Sequence, residues 1–303
     1  MGLPVTVYRH TDAGAPQLVS CTPSEWINIL KKVLVEGYGT KAPLGWTLEF
    51  EDTGTYQVAF RNSTTGGSGG FVKFQSASGA NSGNMRITAA ASMTDINTFV
   101  RSQYYRTFAL GTAAKGWEII GTARGFWFIQ HYTTSLSYYV NSNLQTSFFI
   151  GDIEALYDND AGRFMLITGY PTASDSTGVN SGYSFGSRET IYGQSYATDG
   201  SNTSAYYSSE TFTYLYPNTG NSNAETLGVK HVVAPVVLTI SSNFDSLTLP
   251  RLKGFVPGAM ASSFAGYGSE VWPKELTFNG KNHVGVRGTY GLCCWINTEE
   301  WYV

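Results

Sequence analysis

Short apolar and aromatic runs, each closed by Gly, Asn, Asp or Ser, succeed one another along nearly the whole chain. Thr55–Phe60, Phe71–Phe74, Met85–Thr88, Trp117–Ile120, Phe126–His131, Leu136–Val140, Ser147–Ile150 and Arg163–Thr168 are such runs. In the first, Tyr56, Val58 and Phe60 alternate with their neighbours and so share one strand face. Glu49–Asp52 leads into it through a Thr-Gly turn. Further on, Glu275–Phe278 and His283–Val286 flank Asn279-Gly280, a dipeptide that favours the positive φ of a two-residue hairpin. Tyr290–Ile296 supplies the next strand. Strands this short, punctuated roughly every 8–12 residues, predict a mainly β fold of antiparallel sheets, as a sandwich or a barrel-like arrangement. No fixed-period repeat runs through them, which argues against a propeller or a parallel β-helix.

One helix is written into this pattern. Thr22-Pro23-Ser24-Glu25 places a hydroxyl at the N-cap, Pro at the first helical position and Glu at the third. Trp26, Leu30, Val33 and Leu34 then fall on one face, and Gly37 is a natural stop, so the helix is expected over about 23–36. A second, short helix is expected from Thr94, with Asp95 in its first turn and Phe99 and Val100 inward. Ser63–Gly70 reads as a flexible hairpin tip or linker. Residues 172–228, dense in Tyr, Ser, Asn and Gly, read as an excursion with one strand candidate at Thr211–Tyr216. A boundary at Gly111–Gly116 would divide residues 1–110, β-rich with the helix, from a β-rich 111–303. A single continuous domain fits equally well.

Charged residues make up 14% of the chain against roughly 25% in an average soluble protein. The formal net charge is −3, so no basic excess exists to neutralise a phosphate backbone and nucleic acid is not an expected partner. The longest apolar run, Val232–Ile240, is broken by Pro235 and Thr239 and falls short of the roughly 20 residues of a spanning helix, so no membrane insertion is expected. Met1–Arg9 lacks the charged and apolar regions of a secretory signal. Cys21, Cys293 and Cys294, an odd count with one adjacent pair, form no disulfide framework.

The motifs of common chemistries are missing or misplaced. Gly182-Tyr-Ser184-Phe-Gly186 matches a nucleophile elbow, but neither a buried strand nor a helix flanks it. Gly37-Tyr-Gly39-Thr-Lys-Ala42 matches a dinucleotide fingerprint, yet it follows a helix instead of opening one. His10, His131, His231 and His283 lie far apart, with no ligand spacing between them. Asp158-Asn-Asp160-Ala-Gly162 lacks the rest of a calcium loop and reads as a turn. Glu49 with Glu51, and Asp152 with Glu154, could each flank a sugar bond, since residues two apart on a strand share a face. No catalytic, cofactor-binding or metal residue is assigned, and no cofactor is expected.

Contact surfaces are better represented. Trp117, Trp127 and Trp295 sit in apolar runs and belong to the core, whereas Trp46, Trp272 and Trp301 stand in polar surroundings. Those three, with Tyr183, Tyr192, Tyr206 and Tyr207 of the Tyr-rich span, are the candidate interface. Tyrosine gives contact area at low entropy cost.

The opening adds a resemblance. Val5-Thr-Val-Tyr-Arg9-His-Thr-Asp12-Ala-Gly-Ala-Pro16 resembles the start of a family of tailed-bacteriophage virion structural proteins, with His10 where serine is usual. Leu34-Val-Glu-Gly-Tyr-Gly39, Lys41-Ala-Pro-Leu-Gly-Trp46-Thr and Val58-Ala-Phe60-Arg61 are similar to the family as well. So are Met93-Thr-Asp95, Trp117-Glu-Ile-Ile-Gly, Phe126-Trp-Phe and Leu252-Lys-Gly-Phe255-Val-Pro-Gly. The resemblance is specific over residues 5–61, looser to about 130, and weak through 172–228. It implies a non-enzymatic accessory component of the virion, a capsid decoration or a neck or tail protein. Such a chain is made in the bacterial host cytoplasm and docked to other virion proteins and to copies of itself. Two alternatives stand beside it: an adhesin on the virion that binds a receptor or host surface glycan, and a polysaccharide depolymerase.

Overall fold

A computed structural model describes residues 2–110, 114–131, 146–169, 190–201, 204–210, 233–240, 249–262, 275–287 and 293–303; for residues 190, 204–210, 240, 262, 287 and 293 the backbone alone is described. The chain begins with β1 (Leu3–Pro4) and β2 (Thr6–Arg9), then helix α1 (Pro23–Lys31), which widens into a π-helical turn over Lys32–Glu36. Next come β3 (Thr47–Asp52), β4 (Gln57–Arg61), β5 (Phe71–Ser76), β6 (Asn84–Asp95), β7 (Thr98–Ser102) and β8 (Arg106–Ala109). They are followed by β9 (Gly116–Gly121), β10 (Gly125–His131), β11 (Thr146–Asp152), β12 (Glu154–Ala155) and β13 (Phe164–Gly169). The remainder are β14 (Thr190–Tyr196), β15 (Ser204–Glu210), β16 (Val233–Ile240), β17 (Leu252–Ser262), β18 (Glu275–Phe278), β19 (Lys281–Arg287), β20 (Cys293–Asn297) and β21 (Glu300–Trp301). The fold is mainly β with one helical segment near the N-terminus, as the run pattern requires.

Strands β3–β8 form a 6-stranded sheet. A 13-stranded sheet runs β18-β19-β20-β17-β16-β15-β14-β13-β11-β10-β9-β2, with β12 paired to β17, and every pairing in both sheets is antiparallel. Its end strands meet: Arg9 of β2 reaches Glu275 of β18 at 2.7 Å. The large sheet therefore curls on itself, and β1 pairing with β21 ties the chain ends beside the join.

Curling gives the central strands two buried faces. On β10, Phe126 and Phe128 enter one apolar cluster while Trp127 and Ile129 enter another. Phe148 and Ile150 against Phe149 on β11, and Phe164 and Leu166 against Met165 and Ile167 on β13, alternate in the same way. The concave cluster also gathers Ile191, Val236, Leu238, Val256, Val284, Cys294 and Ile296 from the rest of the sheet. The convex cluster is shared with α1 and with Val58, Phe60, Val72, Phe74, Met85 and Ile87 of the small sheet. A strand buried on both faces reads as a continuous apolar run, which is why these segments lack polar alternation.

The helix lies between the two sheets. Glu25 Oε2 accepts the Thr22 N–H at 3.1 Å, as a capping box requires. Trp26, Leu30, Val33 and Leu34 are fully buried, and the Trp26 ring lies 4.5 Å from that of Phe128. Helix ends leave carbonyls without partners. Here the returning loop takes them, with Leu44 N–H donating to Val33 O at 2.9 Å and Trp46 N–H to Leu34 O at 3.0 Å. That return needs Gly37, whose φ is +79° and where a Cβ would come within 2.7 Å of Lys41 O.

One local expectation changes. The segment expected as a helix from Thr94 is instead the end of β6, a tight turn and β7: Asp95 Oδ1 accepts the Asn97 N–H at 2.8 Å, an Asx turn in place of a first helical turn. Val100 is exposed there. The Gly-rich Ser63–Gly70 is the expected hairpin connection, joining antiparallel β4 and β5, and it is tied to the β9–β10 turn of the large sheet: Ser63 N–H donates to Ala123 O at 3.0 Å and Asn62 Nδ2 to Arg124 O at 2.9 Å. The convex cluster draws residues from both sides of residue 110. The Asn279-Gly280 hairpin forms as written, with φ of 51° and 70°. Leu136–Val140 and Thr211–Tyr216 lie outside the described residues.

Candidate interface

Of the seven contact candidates, the structure turns two inward. Trp46 is 3% exposed, packed at 5.3 Å from the Phe126 ring, with its indole N–H donating to Thr122 O at 3.2 Å. Trp301 is 1% exposed and its indole N–H donates to Asn297 O at 2.7 Å. Both were expected at a surface because their sequence neighbours are polar. Neighbours two or three residues away say little where the chain turns: the loop carrying Trp46 folds back against Phe126 and Phe164, and Trp301 lies on the short strand β21 opposite Leu3. Trp117, Trp127 and Trp295 are fully buried.

Tyr192 stands on β14, half-buried, with the Arg106 guanidinium 5.0 Å from its ring centroid. Tyr206 and Tyr207 lie on β15 opposite Gln194 and Gly193. Tyr183 and Trp272 lie outside the described residues, as does Gly182–Gly186. The β14–β15 hairpin is anchored to the small sheet: Tyr196 Oη donates to Ser102 O at 2.9 Å, and Gln194 Oε1 accepts the Tyr104 N–H. Beside that anchor Tyr104 is 42% exposed.

A second apolar surface was not read from the sequence. Leu156 N–H donates to Lys253 O at 3.0 Å, extending the β12–β17 pairing and bringing exposed Leu156 and Tyr157 beside exposed Leu252. The available signal was two large apolar residues just before the polar turn Asp158-Asn159-Asp160, with no run to bury them.

The opening segment packs as a knot. Asp12 Oδ2 accepts the Arg9 N–H at 2.7 Å and the Tyr38 hydroxyl at 2.8 Å, and lies 2.9 Å from Lys41 Nζ. Burial works against the ionised form, but these donors together hold the Asp12 carboxyl below its usual range. Burial and the adjacent carboxylate push the Tyr38 phenol up. Burial also raises the Tyr8 phenol to about 12, and its hydroxyl donates to Ala42 O at 2.6 Å. Gly14 has φ +79° against Gly39, and Pro16 O accepts the Trp117 indole N–H at 2.9 Å. Tyr8, Arg9, Asp12, Gly14 and Pro16 thus each hold the chain's first turn against the helix exit and the large sheet.

The carboxylate pairs are engaged within the fold. Asp152 is wholly buried, takes both the N–H and the hydroxyl of Ser68, and has the Arg124 and Arg163 Nε atoms at 3.7 and 3.8 Å. Burial raises its pKa despite those donors and cations. Glu154 accepts the Tyr302 N–H at 3.1 Å, and burial raises its pKa too. Glu51 pairs with Lys31 at 3.0 Å and Glu49 accepts the Thr47 hydroxyl at 2.6 Å. His10 and His131, distant in sequence, meet ring to ring at 5.3 Å. Among the described residues no group of three or more His, Cys, Asp or Glu is placed to hold a metal. The Asp158–Gly162 segment is a turn whose Asp160 pairs with Lys253. Cys21 is a free, buried thiol, and Cys294 is buried on β20.

Compared with known proteins, the sequence matches no family model and no curated protein.

Proposed function

We propose that the chain is a non-enzymatic accessory structural component of a tailed-bacteriophage virion, a capsid decoration or a neck or tail protein. The carrying observation is the resemblance over residues 5–61. The geometry supports it in one respect: the residues of that opening are spent on folding, in the Asp12 knot, and a motif of this kind suits a shared architectural start better than a shared reaction.

In this reading the chain docks through uncharged contacts. The Leu156–Tyr157–Leu252 patch and the Tyr104 and Tyr192 surface supply apolar and aromatic area, and such contacts persist in salt that screens charge pairs. Neighbouring virion proteins and further copies of the chain are the partners, repeated by the symmetry of the particle.

Mass spectrometry of purified particles from the source culture tests this directly. The chain must be present as a particle component, and its absence refutes the proposal. Gold-labelled antibody imaged on the particles then separates head from neck or tail. Label at the tail tip, with binding of the purified chain to host cells, would replace the decoration reading by the adhesin.

A further inference from the structure

The least explained group in the molecule is a lysine and an aspartate sealed together. Lys253 on β17 and Asp160 in the turn before β13 have side chains that are both 0% exposed, with Nζ 2.7 Å from Oδ1. Holding two charges away from water is expensive, and their attraction offsets it only when the remaining polar atoms are satisfied. One is not: Asp160 Oδ2 is buried and meets no hydrogen-bond donor among the described residues.

Two further contacts fit a different chemical species. Asp160 Oδ1 accepts the Gly162 N–H at 2.8 Å, and Lys253 Nζ donates to Tyr196 O at 3.1 Å. A secondary amide has one carbonyl acceptor and one N–H donor, and both would keep these partners. The unpartnered Oδ2 is the atom an amide lacks. Gly162 permits the convergence: a Cβ there would lie 3.0 Å from Nζ and 2.3 Å from Tyr196 O.

We infer that Lys253 and Asp160 condense to an intramolecular amide that staples β17 to the turn preceding β13. The ammonium gives up one proton to the carboxylate, which carries it on Oδ2 as the neutral acid, and the amine lone pair attacks Cγ. The charge developing on Oδ1 falls on the Gly162 N–H, which already points at it. Nitrogen then gives a second proton to the departing Oδ2 hydroxyl. One C–N bond forms, one C–O bond breaks, and one water leaves, with no oxidant or cofactor required. Burial lowers the Lys253 pKa, which favours the free amine that attacks. The bond removes both buried charges and joins residues 93 positions apart, restricting the unfolded chain as any cross-link does.

The test is the intact mass of the full-length folded chain, measured after unfolding in denaturant. The expected mass is one water below that of the sequence, with a branched tryptic peptide joining the Asp160 and Lys253 segments. The Asp160→Asn variant should lose one ammonia instead, and Lys253→Arg should keep its full mass. A wild-type chain at full sequence mass after prolonged incubation overturns the inference, as does a water loss that maps to other residues. Both decisive readings come from the wild type, so a variant that fails to fold does not obscure the answer.

Discussion

Replacing Trp46 by alanine separates a core role from a docking role. The indole is 3% exposed, packs against Phe126 and Phe164 with ring centroids at 5.3 and 6.2 Å, and donates to Thr122 O. Truncating a buried tryptophan costs about 3–5 kcal/mol through lost burial and the cavity left behind. Losing the indole bond to a buried carbonyl adds about 1 kcal/mol. The sum, ~4–6 kcal/mol, is a large share of the ~5–15 kcal/mol that holds a typical domain folded. Thermal melting followed by far-ultraviolet circular dichroism and by tryptophan fluorescence should therefore drop on the order of 10 °C in Trp46→Ala. Trp46→Phe, which keeps a ring but not the donor, should fall between. A midpoint within the ~0.5 kcal/mol of an ordinary surface change would refute the buried placement and return Trp46 to the interface.

Other perturbations probe distinct parts of the fold. Burial lowers the pKa values of His10 and His283 below their ordinary value. Unfolding thus takes up protons, and their contribution to stability is complete above about pH 6.5 and lost as pH falls toward the folded values. Asp152 and Glu154, whose raised pKa values act in the opposite sense, are common to both chains, so wild type should lose more stability in denaturant than His10→Ser between pH 7 and 5; equal changes would contradict the burial. Ser68→Ala removes a hydroxyl donor from buried Asp152 and should lower stability by about 1.5–3 kcal/mol in chemical denaturation, with faster proteolysis of the 63–70 loop. At Gly258, φ is +67° and a Cβ would sit 2.0 Å from Trp301 Nε1, so Gly258→Ala should cost about 1–3 kcal/mol or more and speed amide exchange in β1 and β21.

The sequence by itself determined the class of fold, because strand and helix signals are local. Run length, turn residues and the capping box act over a few bonds, and they placed α1, most described strands and the Asn279-Gly280 hairpin. Where two local signals competed, local reading failed: Asp95 can cap a helix or close an Asx turn, and pairing of β6 with β7 decided for the turn. The interface was the least legible part. Trp46 and Trp301 sit among polar neighbours yet are buried, while Leu156 and Leu252, ordinary apolar residues in sequence, are exposed.

Only the tertiary structure could decide which faces are covered, since burial depends on what returns across a strand from far along the chain. Arg9 finds Glu275 and Lys253 finds Asp160 because the large sheet curls, and no spacing in the sequence encodes that closure. The same closure gives β10 and β11 two buried faces, converting runs that could have been half-exposed into the centre of the molecule.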